Sequence, residues 1–94
     1  MIAFDLGPKF PMGRLVITPN ALNKVPHHEV MAAVRRHSRG DWGELDNHDR
    51  EENELSLKQG FRLLSAYRTS TGIKFWVITE ADRSLTTIML PEDY

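Results

Sequence analysis

FRLLSAYRTSTGIKFWVITEADRSLTTIML, residues 61–90, is the stretch on which the fold turns. Three runs in it, 61–69, 73–80 and 85–90, are rich in the β-branched and aromatic side chains that suit a pleated strand. Ser70-Thr71-Gly72 and Ala81-Asp82-Arg83-Ser84 separate them with turn chemistry. Alternation divides the faces: Phe61, Leu63 and Tyr67 share one side of their run, and Phe75 and Val77 one side of the next. Trp76 and Ile78 take the other side, so the middle run is apolar on both faces and belongs in the centre of a sheet. The pattern predicts a three-stranded antiparallel meander.

Upstream, Arg14-Leu15-Val16-Ile17 reads as a further strand, which can join the meander as a fourth. Thr18 is a good N-cap, and Pro19 at the first helical position gives up an amide that has no partner there, so a short helix runs to about Lys24, where Pro26 stops it. A second helix follows from His27 to about Arg36, with Val30, Met31 and Val34 on one face and Gly40 at its C-terminal end. Asp46 caps a third helix from Asn47 to about Gln59, closed by Gly60. That helix is acidic at its start and carries only Leu55 and Leu57 as apolar residues, so it should lie on the surface. Residues 1–13, with Pro8, Pro11 and two glycines among Phe4, Leu6, Phe10 and Met12, read as an irregular arm that docks on the domain or on a second subunit. The expected architecture is one α+β domain spanning residues 1–94, with an N-terminal strand and two to three helices packed on a three- to four-stranded antiparallel sheet.

Composition narrows the function classes. The chain has no cysteine, which excludes disulfides, thiolate metal sites and a cysteine nucleophile, and fits a cytoplasmic protein. Met1-Ile2-Ala3-Phe4-Asp5 has no basic n-region and no long apolar stretch, so no signal peptide is expected, and no run is long enough to span a membrane. The net charge of −1 conceals a division. Residues 1–39 hold six Lys/Arg against two acids, whereas residues 40–56 hold seven acids against Arg50 alone. Such polarity can steer a charged partner; its plainer reading is a solvated helix face.

Several constellations carry side chains capable of chemistry. His27 and His28 are adjacent and diverge by about 100° on a helix. His37 and His48 flank Asp41, Glu44, Asp46 and Asp49, which are ligand types, but the spacing fits no metal site, and none is expected. Arg39-Gly40-Asp41-Trp42-Gly43 holds a Trp between two glycines, either a recognition anchor or a cover for the core edge. Glu80, Asp82 and Arg83 form a small polar set best explained as turn stabilisation. No serine stands in a nucleophile elbow and no phosphate-binding glycine loop exists, so neither a catalytic residue nor a cofactor is expected. Arg62, Arg68, Lys74 and Arg83 on the sheet are balanced by Glu80, Asp82, Glu92 and Asp93, which leaves no basic face for nucleic acid.

The strings at 37–45, 65–68, 76–84 and 86–94, with Asn53 between them, resemble small proteins of bacterial plasmids and other mobile elements, often called plasmid-related proteins. The resemblance covers roughly residues 13–94. Some of those relatives are labelled type I restriction modification subunits. A methyltransferase needs a longer doubly wound domain with a glycine-rich loop, and this chain has neither. The resemblance thus implies a setting, mobile DNA, and no reaction. Two functions follow as expectations. One is a non-enzymatic protein that binds a macromolecule, a protein partner before a nucleic acid, in the service of countering host defence. Its expected contacts are Arg39, Asp41, Trp42, Glu51, Glu52, Arg68 and Arg83, and a homodimer fits it too. The other is a RelE-like ribonuclease toxin or nucleic-acid-binding module, by analogy of helices followed by a sheet. It would use Arg62, Tyr67, Arg68, Lys74, Arg83 and Tyr94.

Overall fold

The computed structural model describes residues 7–94. In chain order the elements are β1 (Arg14–Ile17), α1 (Pro19–Lys24), α2 (His27–Ser38), α3 (Asn47–Gln59), β2 (Leu63–Arg68), β3 (Lys74–Thr79) and β4 (Leu85–Met89), followed by a 3-10 turn at Pro91–Asp93. Local chemistry sets the boundaries. The Thr18 hydroxyl accepts from the Ala21 amide, and the Asp46 carboxylate accepts from Asp49 N–H at 2.8 Å. Gly60 closes α3 in the left-handed region, at φ 80°. Among the described residues no helix is long and apolar enough to cross a membrane.

The sheet order is β1-β4-β3-β2. β2/β3 and β3/β4 are antiparallel, the expected meander with β3 inside. β1, however, pairs with β4 in parallel, Arg14 opposite Leu85 and Ile17 opposite Ile88, so the sheet is mixed and the expectation of a wholly antiparallel one is corrected. The physical reason is the path of α2. It returns the chain along one face, bringing His37 near its C-terminus over Ser65 early in β2. β2 therefore starts at the end where β1 started, and the strand that follows the meander's two reversals runs the same way. Parallel strands need such a crossover.

The main core lies between α2 and the sheet. Val30, Ala33 and Val34 of α2 pack on Tyr67, Phe75, Val77, Ile88 and Leu90, with Ala21 and Val25 closing one end. Met31 stands at the rim of that face, 37 % exposed, and His37 completes the buried stripe. A second cluster of Phe10, Trp42 and Leu63 sits beside it. Phe10 is 5 % exposed and Lys9 N–H bonds Ser38 O at 2.7 Å, so residues 7–13 dock on their own domain. Phe4 and Leu6, the arm's other proposed anchors, lie outside the described residues.

Candidate functional site

α3 has an unusual attachment. The only side chains it buries fully are Asn53 and Ser56, and Leu57 is only partly covered. A helix normally earns its place by burying an apolar stripe; this one is tied by specific polar bonds. Asn53 Nδ2 donates to Leu64 O at 2.5 Å while Asn53 Oδ1 accepts from Leu64 N–H at 3.1 Å. Arg50 donates to the Leu45 and Gly43 carbonyls. The Trp42 indole N–H reaches Glu54 Oε2 at 2.8 Å. Arg83 donates to Ser56 O at 3.1 Å, satisfying a carbonyl near the helix C-terminus.

These bonds fix which side faces water. Asn53 and Ser56 point inward, so Glu51, Glu52 and Leu55 point outward, and all three are exposed. Leu55, 48 % exposed, stands four residues from Glu51 and three from Glu52, which makes all three neighbours on the helix surface. Asp49 and Glu52 border a shallow depression shared with Arg62. His48 Nε2 is 4.0 Å from Glu52 Oε1, at the limit of an ion pair and well exposed. The face is acidic on the N-terminal side of Leu55, with exposed Lys58 one turn beyond it. The exposure of Leu55 fits a helix expected on the surface, and its direction follows from the burial of Asn53, which a hydrophobicity count cannot register.

The other proposed contact residues divide between surface and scaffold. Arg39 is exposed just past α2. Asp41 is exposed but engaged: Arg36 donates to both its oxygens, at 2.7 and 3.2 Å, and holds its carboxyl below the usual range. Arg68 Nε lies 3.5 Å from Glu44. Trp42 is 5 % exposed, stacked near Phe10 and edge-on to His37, so it takes the core role. Arg83 is a staple: its guanidinium donates to Phe61 O, Glu80 O and Ser56 O, with φ at 62° in the left-handed region that non-glycine residues avoid. Of the residues assigned to the ribonuclease alternative, Tyr67 is buried with its hydroxyl on Asp41 O, and Arg62 is held by Glu80 and Tyr94.

His37 is not in the acidic turn's neighbourhood as its sequence position suggested. It is fully buried, with Nδ1 2.5 Å from Ser65 Oγ and Nε2 2.9 Å from Thr79 Oγ1. Proton bookkeeping assigns the tautomer. Thr86 Oγ1 donates to Met12 O, so it can only accept from Thr79. Thr79 has then used its hydrogen and must accept from His37 Nε2–H, which leaves Nδ1 to accept from Ser65. Burial, and next the charge of Arg83, lower the His37 pKa to about 4, which keeps this neutral form. Among the described residues no group of three or more His, Cys, Asp or Glu is placed to hold a metal.

Comparison with protein-family models, with curated proteins and with solved structures gives no match for this chain.

Proposed function

We propose that this chain is a non-enzymatic binding protein whose acidic α3 face, Glu51 and Glu52 beside Leu55, takes a basic surface on a protein partner. The observation that carries the reading is the attachment of α3. Specific polar bonds hold a helix that contributes little apolar burial, and the result is a fixed display of Glu51, Glu52 and Leu55. An apolar side chain ringed by charge suits an interface, where the centre is desolvated and the rim steers encounter. The partner as a component of host defence rests on the resemblance to plasmid-related proteins. The ribonuclease alternative has less to stand on, since Tyr67 and Arg83 are committed to the scaffold and His37 lies in the core.

The test begins with partner capture from a bacterial host lysate, using wild type and the double variant Glu51→Lys, Glu52→Lys. The expected result is a partner lost by the double variant, with an association rate that falls steeply as salt rises toward physiological strength. The fold should be unaffected, because exposed helix substitutions change stability by about 0.5 kcal/mol or less. A partner indifferent to both changes would remove the acidic face from the mechanism. RNA cleavage by the purified protein, abolished in Arg68→Ala, would replace the whole reading with the ribonuclease one.

A further inference from the structure

β1 is an edge strand whose outer side meets no other strand among the described residues. Arg14 N–H bonds Ser84 O and Thr18 N–H bonds Ile88 O, both at 3.0 Å, so the even-numbered residues of β1 turn their backbone toward β4. By alternation, the N–H and C=O groups of Leu15 and Ile17 point to the open side. They meet no backbone or side-chain partner among the described residues. Beside this edge runs an apolar groove lined by Leu15, Ile17, Leu22, Val30, Met31 and Val34. Leu15 and Leu22 are 45 % and 61 % exposed. A bare edge next to apolar side chains is a template for strand addition, and proteins that do not use one usually protect it with charge, proline or a bulge.

We propose that the occupant is a second copy of this chain, its β1 pairing antiparallel with this one about a two-fold axis through Val16. In that register Leu15 faces the copy's Ile17, and Ile17 its Leu15. All four residues have outward N–H and C=O groups, so each meeting is a hydrogen-bonded pair, and a shift by two residues would keep fewer of them. Leu15 and Ile17 share the helix-side face of β1, as their partners Thr86 and Ile88 do on β4, so the paired side chains are apolar and continue the groove.

Charge complementarity singles out this occupant. The same register sets Arg14 opposite Thr18 of the second copy. The Thr18 hydroxyl donates to Asp93 Oδ2 at 2.7 Å, and Asn20 donates to its other oxygen at 2.8 Å, so a carboxylate is held beside Thr18. Arg14 is exposed and has no ion pair among the described residues. Each end of the interface therefore brings an unpaired Arg14 to a positioned Asp93, and the two-fold axis makes the pairing twice over. The result is a continuous sheet of eight strands, the four here doubled.

The experiment combines sedimentation with amide exchange on the full chain over about a hundredfold range of concentration. The expected result is a monomer–dimer equilibrium in which the Leu15 and Ile17 amides gain protection with concentration, while Val16, already turned toward β4, does not. Arg14→Glu should weaken association by about tenfold and Leu15→Lys should abolish it, with circular dichroism unchanged in both. A monomer throughout the range overturns the proposal. So does a dimer that leaves both amides unprotected, because it forms elsewhere. Protection of both amides in a species that remains monomeric would put another segment of this chain on the edge, and overturns it as well.

Discussion

At the β2 edge of the sheet, the outward backbone groups of Leu64 meet the side-chain amide of Asn53, and those of Ala66 meet Trp42 O and Glu44 N–H. At the β1 edge, those of Leu15 and Ile17 meet nothing among the described residues. The closed edge is built from the acidic stretch, residues 40–56. Gly43 forms a parallel bridge to Ala66 at φ 75°, where a Cβ would overlap the Ala66 carbonyl oxygen, so only glycine lets the segment approach. The open edge is built from β-branched and apolar residues with Arg14 at one end. The contrast teaches that the acidic stretch covers one edge of the sheet, whereas the outward groups of β1 stay unpaired among the described residues.

The sharpest way to break the contrast is to unfasten the closed edge. Trp42→Ala empties a site packed by Phe10 and His37 and cuts the tie to Glu54; we expect a loss of about 3 to 4 kcal/mol in urea denaturation. A loss near zero would mean the Trp42–Glu44 cover is not held by the core at all.

Acid comes next, because the His37 network runs from Ser65 on β2 to Met12, two residues before β1, and so links the two edges. The folded pKa, about 4, lies below the ordinary value of 6.5, so the neutral form is favoured in the fold. Its stability contribution is complete above pH 6.5 and is lost as pH falls toward 4, by about 3 kcal/mol across that window. A pH series of denaturation curves should show this slope in wild type and not in His37→Gln. A slope that persists in the variant would assign it to carboxylates instead.

Asn53→Ala leaves the Leu64 N–H and C=O without their partner and should cost about 2 kcal/mol, with faster exchange of the Leu64 amide than of its neighbours on β3. The smallest effect belongs to the open edge. Leu15→Lys in the dilute monomer should change stability by less than about 0.5 kcal/mol, since that side chain is 45 % exposed and its outward amide has no partner among the described residues. A larger loss would show that β1 is already covered, and that the two edges are alike.

Much of the fold was legible. The meander, the caps at Thr18 and Asp46 and the left-handed stop at Gly60 are local features, and local chemistry determines them. The direction of β1 was not, because it depends on how many times the chain crosses the sheet before β2, and the residues of β1 suit either direction. The candidate site was half legible. Glu51 and Glu52 stand out by charge, but Trp42 and Arg83 owe their roles to partners far along the chain, such as Phe10 and Ser56. His37 did carry a signal: it lies seven residues after Val30 and three after Val34, on the same helical stripe. The acids that come after it in sequence draw attention away from that periodicity.

The parallel pair of β1 and β4 also bears on the order in which the molecule can assemble. Arg14 pairs with Leu85, and Thr18 with Asp93 at a separation of 75 residues, so the last strand must exist before the first can be placed. During synthesis β1 emerges before β4 and waits while α1 to β3 are made. The loop it closes is among the longest this chain could form, and such contacts slow the search for the native state. Meanwhile the meander, whose contacts are local, can form without it. The strand that must wait for a distant partner on one side is then the one whose far side meets no partner among the described residues.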